Sequence, residues 1–148
     1  MPAHTLHKRI GDLLRETFSD NIPILDSACG DDQHIPLFID EKSRETQYCQ
    51  VDALSLSDEK DYVRVIIEIE ETDRNPVKLF GKLFASTFSK YYIPENAIKP
   101  IRISDDFHFI QIVRNYKKAV NGVNAMGKTS PEKLLQLENL RESIKQIL

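Results

Sequence analysis

Residues 62–70, YVRVIIEIE, constrain the fold of this chain more than any other segment. Val63, Val65, Ile67 and Ile69 alternate with Tyr62, Arg64, Ile66, Glu68 and Glu70. That period of two belongs to a β-strand, and β-branched residues dominate it. The preceding apolar stretch, TQYCQVDALSL over residues 46–56, reads as a second strand with Asp52 inside it. Between the two lies SDEKD, residues 57–61, a polar loop of hairpin length. Antiparallel pairing about residue 60 sets Asp52 nearly opposite Glu68, and Glu70 shares the Glu68 face.

Three acids on one patch repel one another. One reading is a solvated sheet face, since half-exposed strands commonly carry Glu. The other is a divalent-cation site, because a hard cation such as Mg²⁺ accepts carboxylate oxygens and removes the repulsion. Such a cation can activate water and stabilise charge on a phosphate in transit.

The flanking segments supply helices. Residues 5–18, TLHKRIGDLLRETF, place Leu6, Ile10, Leu13, Leu14 and Phe18 at helical spacing, with Thr5 as the expected cap. A strand is expected at Ile22–Leu25 or Ile35–Ile39. Asn75-Pro76 opens a second helix carrying Val77, Phe80, Phe84 and Phe88 and running to about Tyr91-Tyr92. Gly81 in its middle points to close packing. Residues 98–104 and 107–114 read as two further strands and 115–130 as a long loop. Thr129–Glu132 resembles a capping box before a last, leucine-rich helix. The mixture predicts one α/β domain over 1–148 with a mixed sheet.

Composition is that of a globular chain: 148 residues, 41% hydrophobic and 29% charged. The longest apolar runs are far too short to span a bilayer, and the N-terminus lacks a signal-peptide core, so a cytoplasmic protein without a membrane partner is expected. Cys29 and Cys49 are expected to be free thiols. His4 and His7 share a helical face, but no cysteine or carboxylate lies at zinc-site spacing, so no zinc site is expected. The net charge of −3 conceals polarity. Residues 1–73 hold 7 basic against 17 acidic side chains, and residues 74–148 hold 13 against 6. The basic half, with Arg74, Lys90, Lys99, Arg102, Arg114, Lys117, Lys118 and Lys128, could contact phosphates or simply balance the acidic half.

Asp52, fifteen intervening residues and then Glu68-Ile69-Glu70 on a neighbouring strand resembles the PD-(D/E)XK nuclease superfamily. Its core runs helix, three strands, helix, strand, and residues 5–114 follow that order. The resemblance implies a restriction-endonuclease-like core in which Asp52 and Glu68 hold Mg²⁺ or Mn²⁺, with Glu16 of the first helix as a further carboxylate. Val51 stands where the motif has proline. Glu70 stands where it usually has lysine. The resemblance leaves two substitutes open: Glu70 itself as metal ligand or base, or a lysine moved onto the following helix, where Lys78 and Lys82 lie one turn apart. The implied function is hydrolysis of DNA phosphodiester bonds by an endonuclease, as a homodimer, since cutting both strands needs two sites. The alternative is an inactive nuclease-fold module that binds nucleic acid or a protein partner. A separate match, Gly122 to Thr129, has P-loop spacing but lacks the strand directly before it and would imply nucleotide binding through Lys128.

Overall fold

The computed structural model describes residues 4–18, 23–71, 75–114 and 131–147. The GKT segment, the expected loop 115–130, the capping-box residues 129–130, and Arg74, Lys117, Lys118 and Lys128 lie outside them. The elements are α1 (Thr5–Thr17), β1 (Ile24–Leu25), β2 (Pro36–Phe38), β3 (Gln47–Gln50), β4 (Ala53–Leu56), β5 (Tyr62–Glu70), α2 (Pro76–Phe88), β6 (Tyr91–Tyr92), β7 (Ile101–Val113) and α3 (Pro131–Ile147). The chain is thus α/β, with one seven-stranded mixed sheet in the order β1-β4-β5-β7-β6-β2-β3.

The β4–β5 hairpin forms as its pattern requires. Ala53 pairs with Ile67, Leu54 with Ile66 and Ser55 with Val65, antiparallel. Ser57 closes the turn. Its Oγ accepts from the backbone N–H of Asp61 and Tyr62, and Lys60 takes a left-handed φ of 58°. β5 then pairs in parallel with β7, so the chain between them must cross over, and α2 is carried in that crossover. α2 starts as read: Asn75 Oδ1 accepts from Val77 N at 3.0 Å, with Pro76 in the first turn.

The two faces of β5 meet different layers. Ile67 and Ile69 pack with Leu25, Cys29 and Ala53 beneath Leu6, Ile10 and Leu14 of α1. Val63 and Ile66 join Ile35, Leu37, Val51, Leu54, Tyr92 and Ile103 in a second cluster. α2 lies on the Glu68 side, where Lys82 reaches the strand and Ser86 meets Cys49 of β3.

Five expectations are corrected. Residues 46–56 are two strands, not one. At Val51-Asp52 the backbone turns away, with Val51 N–H donating to Ile35 O and Asp26 N–H to Asp52 O. Residues 98–104 and 107–114 are not separate strands but lie largely within continuous β7, which absorbs extra residues where its register with β5 shifts between Val63 and Val65. The second helix ends at Phe88, because Tyr91 and Tyr92 are taken up by pairing with Leu37, Phe38 and β7. α1 is preceded by His4, not capped by Thr5. His4 sits at φ 64° and gives no side-chain cap. Gly81 faces open space, and a Cβ there would meet nothing within 4 Å, so close packing does not explain it. Both alternatives for the early strand are realised, as β1 and β2.

Candidate active site

Asp52 lies at the bend just before β4, and Glu68 and Glu70 end β5. The structure brings all three together. Asp52 Oδ2 accepts from the backbone N–H of Ile69 at 2.6 Å, which fixes Asp52 against the end of β5. The Asp52 carboxyl is close enough to Glu68 to raise that group's cost of ionisation. Lys82, two turns into α2, supplies the cation. Its Nζ donates to Glu68 Oε2 at 3.0 Å and lies 3.2 Å from Glu70 Oε2. One helix position thus serves two carboxylates, because Glu68 and Glu70 project to the same side of the strand.

Burial sets the electrostatics. Glu68 is 1% exposed and Glu70 6%. Burial pushes the Glu68 carboxyl up to about 8 against the pull of Lys82, and Asp52 adds to the rise. Asp52 is also pushed up, again chiefly by burial, with the Ile69 N–H and His7 opposing. Lys82 is pushed up as well. Burial disfavours its charge, but Glu68 and Glu70 outweigh that and hold the ammonium protonated. Even so, Glu68 Oε1 is buried without a hydrogen bond, while Glu70 Oε2 faces the Lys82 ammonium at 3.2 Å. Buried oxygens in that condition are costly.

A second group adjoins the first. His7 of α1 is buried. Its Nδ1 shares a hydrogen bond with Glu71 Oε2 at 3.2 Å, and its Nε2 lies 3.7 Å from Asp52 Oδ1. Glu71 Oε2 also accepts from Leu6 N–H at the start of α1, and Oε1 accepts from Arg114 at 2.8 Å. Burial raises Glu71, but these partners prevail and hold its carboxyl below the usual range. Glu71 therefore satisfies a first-turn N–H of α1 and places negative charge at the positive end of the helix.

The remaining candidates separate by position. Lys78 is exposed, one turn before Lys82 on α2. Glu16 is exposed near the end of α1. His7 is the α1 residue that meets Asp52, and nine residues of helix put Glu16 about 13 Å further along the axis. Glu16 is therefore not brought to the carboxylates. His7 and Glu71 were not among the residues expected here, and Arg114 was expected only as part of the basic half. Their signals were present: His7 interrupts the apolar face marked by Ile10 and Leu14, and Glu71 extends the acidic end of β5. Nothing in the local pattern, however, links residue 7 to residue 71.

Comparison with protein-family models, with curated proteins and with solved structures returns no match for this chain.

Proposed function

We propose that the chain is a divalent-metal-dependent endonuclease of restriction-endonuclease-like fold that hydrolyses DNA phosphodiester bonds. One observation carries the reading. Buried Glu68 keeps its Oε1 without a hydrogen bond, beside Asp52 and beside buried Glu70, and both glutamates face the Lys82 ammonium through Oε2. Three carboxylates crowd beside the Lys82 ammonium, which pairs with two of them. Oxygen-only donors with spare buried lone pairs fit Mg²⁺ or Mn²⁺. The order α1, β1, β4, β5, α2, β7, with β1-β4-β5-β7 adjacent in the sheet, supports the same core.

In this reading Asp52, Glu68 and Glu70 hold the metal. When bound, the cation supplies an activated water and neutralises charge on the phosphate. Lys82 takes the place of the motif lysine. Its ammonium, kept charged by the two glutamates, donates to a phosphate oxygen or orients the attacking water. The Ile69 N–H and His7 hold Asp52 in position. Lys78, exposed one turn away, contacts a flanking phosphate. Two copies would serve the two strands of a duplex.

The test is cleavage of supercoiled plasmid with Mg²⁺ or Mn²⁺ by the wild type, Asp52→Ala, Glu68→Ala and Lys82→Ala. Metal-dependent nicking is expected in the wild type, with losses of at least about a hundredfold in the variants, as for groups acting directly on the transition state. Equal activity in all four sinks the proposal. DNA binding without cleavage under any metal condition would favour a non-catalytic module instead.

A further inference from the structure

Outside the carboxylates on β5, a chemically different set of donors meets at the start of α1. His4, His7 and Glu71 each place a ligand atom so that all three lie within 4.8 Å of one another. The sequence conceals this, because Glu71 arrives from the end of β5, sixty-four residues after His7. We propose that His4, His7 and Glu71 form a binding site for a first-row transition-metal ion of the Zn²⁺ class, with one coordination position left open.

Four features support the assignment. The donors are two imidazoles and one carboxylate, which suits Zn²⁺ and its neighbours better than Mg²⁺. Three protein ligands leave a four-coordinate ion one position for water. The supporting contacts needed to orient such ligands are present. Glu71 is held through Oε1 by Arg114 and through Oε2 by the Leu6 N–H. His7 can ligate through Nδ1, the nitrogen nearest Glu71, while Nε2 faces Asp52 at 3.7 Å, an arrangement of carboxylate, imidazole and metal. The last feature is backbone conformation. His4 adopts φ 64°, an uncommon state for a residue with a Cβ, and its ring stands edge-on to His7 with centroids 5.2 Å apart. The bound ion would pin the first turn of α1 to the end of β5.

The site shares no ligand with the proposed Mg²⁺ centre, which it adjoins at Asp52 and Glu70, so the two can fail separately. The experiment is Zn²⁺ titration of the full chain by calorimetry in excess Mg²⁺, using the wild type, His4→Ala, Glu71→Gln and Glu68→Gln, with circular dichroism of each. His4 is exposed, so its replacement does not threaten the fold. One equivalent of Zn²⁺ is expected. His4→Ala and Glu71→Gln should each weaken it by about tenfold or more, while Glu68→Gln leaves it in place. No binding by the folded wild type overturns the proposal. So does binding that survives His4→Ala unchanged, or that is lost in Glu68→Gln instead.

Discussion

At Glu68, burial and charge act in opposite directions, and the balance fixes how stability depends on pH. Its carboxyl is raised to about 8 by burial and by Asp52, despite Lys82. An acid whose folded value exceeds its unfolded value of about 4.3 binds its proton more tightly in the folded state. The unfolded chain therefore holds fewer protons between the two values, and stability falls as pH rises through that window. Denaturant unfolding of the metal-free wild type from pH 4.5 to 8 should show this decline, and Glu68→Gln should flatten it. A steeper decline in the variant would contradict the arrangement. Glu71 has the opposite sign: its lowered carboxyl contributes stability above the unfolded value, which is lost on acidification below it. The carboxylate pattern was readable because Glu68 and Glu70 interrupt an apolar strand. Which of Lys78 and Lys82 would be used was not readable. That depends on the rotation of α2 about its axis, which the Cys49–Ser86 contact and Leu79 packing set.

Among the elements, two glycines give opposed expectations. Gly11 lies where α1 crosses the loop after β1, and a Cβ there would stand 2.2 Å from the carbonyl oxygen of Cys29. Backbone cannot yield as a side chain can, so Gly11→Ala should cost about 1–3 kcal/mol by overpacking. Gly81 in α2 faces open space. Gly81→Ala should stabilise by about 0.5–1 kcal/mol through helix propensity alone. Thermal or urea unfolding of both variants checks the pair, and a shift of the same sign in each would contradict the packing described. Local pattern located most elements: β5, the start of α2 and α3 follow from alternation, capping and helical spacing. It failed where distant partners decide. Residues 46–56 divide because Val51 bonds to Ile35 and Asp52 to Asp26. Helix α2 stops short of Tyr91 because β2 and β7 claim that backbone.

For the whole molecule, an ion that binds the folded chain alone must raise its melting temperature. Mg²⁺ at about a hundred times its dissociation constant should add roughly 2.7 kcal/mol. In a chain of this size that is a shift of several degrees, by the scaling of about 2–4 °C per kcal/mol. Calorimetry should find the shift in the wild type and its loss in Glu68→Gln. No shift at millimolar Mg²⁺ would count against the carboxylate centre. Among the described residues no helix is long and apolar enough to cross a membrane.

The break at Val51-Asp52 also dictates curvature. Gln50 ends β3 and Ala53 begins β4, so three Cα–Cα steps spanning no more than about 11 Å join them. Yet β3 and β4 stand five places apart in the sheet, a gap of about 24 Å if it were flat. Both can hold only if the strands roll into an incomplete cylinder whose last stave returns over its second. Cys49 on that last stave accordingly lies near Glu68, whose charge adds to burial in pushing its thiol up. The acidic patch is then an inner wall, and under the proposed function a phosphate would reach Glu68 over the rim past Lys82, whose side chain is 29% exposed.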